Sequence, residues 1–167
     1  LNRMNAKILF KNKRKYNGEM IADILVESKS NLKSINCPPS LNSSAIDEFL
    51  VIFLVAAKAK GVSSFSKLDE LNKKESPRLD IAISFLRKIG VKVIRKNNNI
   101  KIYGNPSLDL KGKYLINKFR KDHRVFMMSC IAALVFGGNW KINDKDCTNT
   151  SFPRFLNIIQ DLGGKIN

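Results

Sequence analysis

Histidine and tryptophan occur once each in the 167 residues, tyrosine three times, and cysteine three times, at positions 37, 130 and 147. No Walker loop, GxGxxG, HExxH, CxxC or GxSxG pattern is present, so the commonest nucleotide, zinc and serine-hydrolase chemistries have no residues to carry them. Tyr and Trp are too few and too dispersed for a base-stacking platform. The odd number of cysteines, far apart in the sequence and outside any paired metal spacing, fits a reducing cytoplasm better than a disulfide framework. No apolar run approaches the ~20 residues of a membrane helix. The longest candidates, 49–57 and 125–136, have the length of core helices. No basic stretch followed by an apolar one opens the chain, so no export signal is expected and the expected location is cytoplasmic. Strand-like sequence begins almost at once after Leu1, and the expectation is a piece of a longer protein.

What is present is an ordinary globular composition, 44% hydrophobic and 26% charged. A chain of this length buries about 70% of its unfolded surface, enough for one substantial core. Acids are scarce: 14 Asp and Glu face 30 Lys and Arg, a formal charge of +16. Such a balance points either to an anionic partner, nucleic acid or phosphorylated metabolite, or to compositional bias. Bias accounts for most of it, because 22 of the basic residues are Lys and they sit in scattered doublets. The exception is the early cluster Lys11, Lys13, Arg14, Lys15.

An order of signals recurs after about 75 residues, and a repeat of this kind decides the fold. The two copies are 46–93 and 121–166. Each opens with charge, Asp47-Glu48 or Asp122-His123-Arg124, and continues as an apolar helix ending at Gly61 or Gly137-Gly138. A short strand follows, 62–67 or 139–143, then a polar loop and a Ser/Pro helix start, Ser76-Pro77-Arg78 or Thr150-Ser151-Phe152-Pro153-Arg154. Ser76 is expected to cap and Pro77 to sit in the first turn. Leu79, Ala82, Ile83, Leu86 and Ile89 form a helical stripe that Gly90 terminates, and Phe155, Ile159 and Leu162 repeat it. The first helix of each copy is apolar nearly all round and is expected between layers. Residues 91–96 and 100–103 flank Asn97-Asn98-Asn99 as a hairpin, and 6–10 and 20–27 read as strands. The order ββ, αβαββ, βαβα is that of a repeating α/β domain.

If the copies pack alike, four helix starts share one side: Asp47-Glu48, Ser76-Arg78, Asp122-Arg124 and Thr150-Ser151. Free N–H groups and helix dipoles there attract anions, and Arg78 and Arg124 offer bidentate forks for carboxylate or phosphate. Singly, each feature has an ordinary reading. Asp47-Glu48 is a common helix start, Lys74 to Arg78 a capping loop with a surface ion pair, and His123 a structural histidine flanked by charge.

Together they are more specific. Gly18-Glu19 with Ala22-Asp23, Ile46-Asp47-Glu48, the run Glu70-Leu71-Asn72-Lys73-Lys74-Glu75-Ser76-Pro77-Arg78, Asp122-His123-Arg124 and Ser151-Phe152-Pro153 resemble 5-enolpyruvylshikimate-3-phosphate synthases in order and spacing. The sister UDP-N-acetylglucosamine enolpyruvyl transferases match the Lys-Glu-Ser and Asp-His-Arg segments less well. The resemblance covers nearly all of 1–167, yet corresponds to the C-terminal two-fifths of such an enzyme. It implies an inside-out α/β barrel domain of repeated βαβαββ units, with about two units present and the other domain absent. It implies transfer of the enolpyruvyl group of phosphoenolpyruvate to the 5-hydroxyl of shikimate 3-phosphate, with release of phosphate, as in aromatic amino acid biosynthesis. No metal or organic cofactor is implied, and the partners are the two substrates and the missing N-terminal part, not a membrane or nucleic acid.

Carried over residue by residue, Asp47 is implied as base toward the 5-hydroxyl and Glu75 as the group exchanging the proton at the enol carbon. Lys74 is placed between the substrates, Arg78 and Arg124 on the phosphate and carboxylate of phosphoenolpyruvate, and His123 and Asp122 in support. The chain departs from the pattern at Pro77, where Asp is usual, at Asn72, where Arg is common, and at Thr150, where some members have Lys. The catalytic set on this side survives, which implies a divergent rather than an inactivated member. The grip on shikimate 3-phosphate belongs to the missing part, so the isolated chain is expected to be inactive or nearly so. A basic nucleic-acid-binding module, or an inactive remnant on the same fold, is the alternative.

Overall fold

A computed structural model describes residues 1–28 and 31–166. Strands β1 (Lys7–Tyr16) and β2 (Glu19–Glu27) pair antiparallel. After a single turn α1 (Asn42–Ala45) come helix α2 (Phe49–Lys58), strand β3 (Gly61–Phe65), helix α3 (Arg78–Lys88) and the hairpin β4 (Val93–Lys96) and β5 (Asn99–Gly104). Strand β6 (Lys113–Ile116), helix α4 (His123–Phe136), strand β7 (Asn139–Ile142) and helix α5 (Phe155–Asp161) complete the chain. The order α–β–α thus occurs twice, as α2-β3-α3 and α4-β7-α5. In each case the central strand has a parallel neighbour from before the first helix. Bridges Lys33–Lys60 and Asn36–Ser64 run parallel along β3, and β6 runs parallel to β7. β5 lies between β3 and β4, antiparallel to both.

The elements follow from local chemistry. Asn97 takes φ +53 in the two-residue connection between Lys96 and Asn99, a conformation that asparagine tolerates better than most side chains. Gly90 ends α3 at φ +82, as its position in the sequence predicts. α2 packs against β5, α3 and α4, and its Phe49 and Phe53 meet Phe65 of β3, with ring centroids 5.0–6.0 Å apart. All three rings are buried, each stabilising the fold by roughly 1.5–3 kcal/mol relative to exposure. A second aromatic stack, Phe85–Trp140–Tyr114, ties α3 to the β6–β7 pair.

Several sequence expectations shift. β1 runs through the basic cluster to Tyr16 rather than stopping at Phe10, because Arg14 and Lys15 pair with Ile21 and Met20 beyond an irregularity at Lys11/Arg14. α2 ends at Lys58, and Lys58 donates to the Leu108 carbonyl at 2.6 Å, which fixes the end of the helix. α3 starts at Arg78, with Pro77 outside it. Leu162 falls beyond the end of α5 and is 78% exposed, so it is no part of the buried stripe. α4 is not enclosed all round: Leu134 and Val135 stand exposed on one face.

Gly104 lies where β5 comes close to the end of α2. A Cβ there would clash with the Ala59 carbonyl oxygen and lie 2.5 Å from that of Ala56. Both are backbone atoms at the end of α2, and Asn105 N–H donates to Ala57 O at 2.8 Å beside them. Gly104→Ala is therefore expected to destabilise the chain by at least the roughly 1–3 kcal/mol of an overpacked core, measured by urea unfolding. An unchanged midpoint would show that α2 can slide away from β5.

Candidate functional site

Three helix starts converge. Asp47 precedes α2, Lys74 to Arg78 lead into α3, and Asp122 to Arg124 open α4. At the centre lies Arg78, buried to 1% exposure. Its Nε donates to Asp122 Oδ2 at 2.9 Å, Nη1 to Asp47 Oδ1 at 3.0 Å and Nη2 to Glu75 Oε2 at 2.5 Å. Asp122 is buried as deeply, and it also accepts from Ser76 Oγ at 2.7 Å and from the Arg124 N–H at 2.9 Å, the latter as cap of α4. One carboxylate thus fixes both arginine-bearing segments.

Burial works against both charges, and in both it is outweighed. Burial alone would lower the Arg78 pKa, but hydrogen bonds from Arg78 to Asp122 and Asp47 and the charges of Asp122 and Glu75 leave it above the ordinary value. Burial alone would raise Asp122, but the guanidinium, the Ser76 hydroxyl and the Arg124 N–H hold its carboxyl below the usual range. Both groups are ionised at neutral pH.

Above this buried pair stand the more exposed groups. Arg124 Nη2 lies 3.5 Å from Asp47 Oδ2, while Nη1 donates to the Asp47 carbonyl at 3.0 Å and to Glu48 Oε1 at 3.2 Å. Lys74 Nζ lies 3.9 Å from Asp47 Oδ1. A groove of about 500 Å³ opens alongside, lined by Ser40, Ser43, Ile46, Lys67, Glu70 and Lys74 among others. Of the expected residues, Asp47, Lys74, Glu75, Arg78, Asp122 and Arg124 are brought together, and His123 is half-buried next to them. The fourth helix start is not joined: no hydrogen bond or ion pair among the described residues ties Thr150 or Ser151 to the cluster. The two arginine forks, expected to be open to an anion, are filled by carboxylates of the chain itself.

Two residues acquire roles that the sequence did not show. Ser76 does not cap α3; its hydroxyl is turned to Asp122, 46 positions away. The cap is supplied by Asn72, whose Oδ1 accepts from the N–H groups of Leu79 and Asp80 at 3.0 and 3.3 Å. Pro77, in the cap position, has no side-chain acceptor to offer. Asn72 supplies from the preceding turn the acceptor that Pro77 lacks.

The cysteines stand apart from this chemistry. Burial, with a smaller effect of Cys147, pushes the Cys130 thiol up to about 12, and burial also raises Cys37 and Cys147, so none is poised as a thiolate. Among the described residues no group of three His, Cys, Asp or Glu is placed to hold a metal ion, and no helix is long and apolar enough to cross a membrane.

A family model for EPSP synthase (3-phosphoshikimate 1-carboxyvinyltransferase) matches residues 1–159. The 3-phosphoshikimate 1-carboxyvinyltransferase of Zymomonas mobilis is 37% identical over 167 residues, covering 99% of this chain and 37% of that protein. The one from Ruthia magnifica is 35% identical over 98% of this chain and 37% of its own length. A solved structure of EPSP synthase from Acinetobacter baumannii superposes with a TM-score of 0.88 at 31% identity, over 96% of this chain and 37% of that one. The mixed α/β fold thus matches part of such a structure, and the chain spans about 37% of the length of these relatives.

Asn72→Ala should lower stability by about 1 kcal/mol, the worth of a helix cap, or about 2–4 °C in a chain of this size. Adding Pro77→Asp should recover most of it; no recovery in calorimetry would separate the two positions. The Asp122 carboxyl supplies a pH test. Its folded pKa is depressed, so its stabilisation is complete above the unfolded value of about 3.9 and lost as pH falls through the lower folded value. Asp122→Asn should cost about 3–5 kcal/mol at pH 7, as breaking a buried pair does, and flatten the stability–pH curve below pH about 4. A variant as steep there as the parent would assign the acid limb to other carboxylates.

Proposed function

The chain belongs to the EPSP synthase family, and from that premise we propose that it supplies the phosphoenolpyruvate side of an enolpyruvyl transfer to shikimate 3-phosphate. The observation that carries the reading is the convergence of Asp47, Lys74, Glu75, Arg78 and Arg124 from three helix starts separated by up to 77 positions. We read 1–167 as part of one domain of an inside-out α/β barrel, with about two βαβαββ units present and 46–93 and 121–166 as the internal repeat. The twofold α–β–α order, each with a parallel neighbour before its first helix, supports that division. The other domain would come from the remaining part of the enzyme, and the phosphorylated substrates place the reaction in the cytoplasm.

On this reading the 5-hydroxyl of shikimate 3-phosphate approaches Asp47, which takes its proton as the oxygen bonds to C2 of phosphoenolpyruvate. Glu75 delivers a proton to C3, giving a tetrahedral intermediate. In the second step Glu75 takes a proton back from the new methyl group while the C2–O bond to phosphate breaks and the proton on Asp47 passes to the departing phosphate, which forms the enol ether and returns both carboxyl groups to their starting states. Arg78 and Arg124 hold the phosphate and carboxylate, positioning the enol and stabilising charge on the leaving phosphate. Lys74, at the rim of the groove and near Asp47, bridges the two substrates, and His123 supports the wall.

The charge balance of the site has a consequence for binding. Three cations, Lys74, Arg78 and Arg124, face four carboxylates, Asp47, Glu48, Glu75 and Asp122. This half-site is not a net attractor of dianions, which is a physical reason for it to need the basic groups of the other part. An incoming anion competes with Glu75 for Arg78 and with Asp47 for Arg124, while Asp47 keeps its hydrogen bond from Arg78 Nη1.

The test is phosphate release from shikimate 3-phosphate and phosphoenolpyruvate. The chain alone should be silent, and a mixture with the complementary part of the Zymomonas mobilis synthase should turn over. Glu75→Gln should lower kcat in the mixture by about 10²–10⁴, the range of general acid–base catalysis. Turnover unaffected by that change would remove Glu75 from the mechanism, and a folded but silent complex would sink the catalytic reading.

A further inference from the structure

Arg78 and Asp122 are paired unevenly. Nε donates to Oδ2 at 2.9 Å, whereas Nη2 stands 3.5 Å from Oδ1, beyond the reach of about 3.2 Å of an ordinary N–H···O bond. A guanidinium and a carboxylate commonly meet in two parallel bonds. Here the other donors on the carboxylate hold it out of that arrangement. Oδ1 accepts from the Arg124 N–H at 2.9 Å, a backbone group that cannot shift without α4. Oδ2 accepts from Ser76 Oγ at 2.7 Å, and Ser76 is buried, so solvent does not compete for its hydroxyl. The same residue holds the main chain of the arginine, because its carbonyl accepts from the Arg78 N–H at 2.7 Å.

The uneven grip matters at the far end of the guanidinium. Nη1 and Nη2 are directed away from Asp122, to Asp47 at 3.0 Å and Glu75 at 2.5 Å. That edge is the one assigned above to the substrate anion. We propose that Ser76 is a positioning residue for this anion subsite: its hydroxyl keeps Asp122 turned so that Arg78 is gripped through Nε and its Nη1–Nη2 edge stays aimed at phosphoenolpyruvate. The proposal rests on the reading of Arg78 as a holder of that substrate. Without the hydroxyl the carboxylate is free to level into two bonds, to Nε and Nη2. Levelling draws Nη2 inward and swings the outer edge off its line, and a fork misplaced by a fraction of an ångström loses much of its hold. A Ser76 that served the fold alone would change stability and leave substrate affinity as it was.

The test compares Ser76→Ala, which removes the donor, with Ser76→Thr, which keeps it. In crystal structures of the chain, Ser76→Ala should bring Nη2 to about 3.0 Å from Asp122 Oδ1, and Ser76→Thr should leave that distance as it is. Kinetics are read in the mixture with the complementary part of the Zymomonas mobilis synthase. Ser76→Ala should raise KM for phosphoenolpyruvate at least about tenfold and leave kcat and KM for shikimate 3-phosphate within about threefold, the pattern of a lost hold common to ground and transition states. Ser76→Thr should stay within about threefold of the parent throughout. If Ser76→Ala does not fold, Ser76→Cys, with a weak donor in place of a strong one, takes its place with the same expectations. An unmoved KM for phosphoenolpyruvate, an equal rise in both KM values, or a threonine variant as impaired as the alanine one would each overturn the proposal. The shortened Nη2–Oδ1 distance in a mixture that never turns over would leave the positioning of Arg78 standing and defeat the catalytic reading. Turnover with an unchanged KM for phosphoenolpyruvate would do the reverse.

Discussion

Taking a guanidinium out of water costs several kcal/mol, recovered only where good geometry and further hydrogen bonds accompany the ion pair. Arg78 meets that condition through Asp122, Asp47 and Glu75, and Asp122 through Ser76 and the Arg124 N–H. The pair therefore cannot be moved piecemeal. Removing either partner leaves the other charged and buried, so the starts of α3 and α4 and the segment before α2 are held in one arrangement. The elements around it serve the same constraint. The Phe49–Phe53–Phe65 cluster fixes α2 over β3, the Gly104 contact sets its distance from β5, and the Phe85–Trp140–Tyr114 stack fixes α3 against β6 and β7.

What could be read from the sequence is what has a local cause. The Asn97 turn, the Gly90 exit and the apolar helices need only neighbours within a few residues, and they lie where the pattern puts them. The charged helix starts were also visible, and three of the four converge. What escaped was the use made of each polar atom. Ser76 stands where a cap belongs, yet a buried carboxylate 46 positions away makes the stronger demand on its hydroxyl. Asn72 stands outside any capping register, and only the 69–73 turn folding back on α3 brings its oxygen to the Leu79 and Asp80 N–H groups. The open face of α4 and the exposure of Leu162 escaped for a different reason. A periodic pattern reports that a side chain is apolar, and not whether its cover lies in the same chain.

That distinction separates the two halves of the molecule. The core around α2, α3 and α4 satisfies its polar groups and closes on itself: among the described residues no buried side-chain nitrogen or oxygen lacks a partner. The ribbon β1–β2 and the Leu134–Val135 face of α4 are apolar and open.

Asp122 balances the charge of the buried Arg78, and the terminal guanidinium nitrogens take Asp47 and Glu75 as their acceptors. On the proposed reading these two carboxylates are also the groups that handle protons during turnover. On that reading an anion held by Arg78 and Arg124 competes with Glu75 and Asp47 for the same N–H groups, so binding of the substrate and the placing of the two carboxylates are coupled.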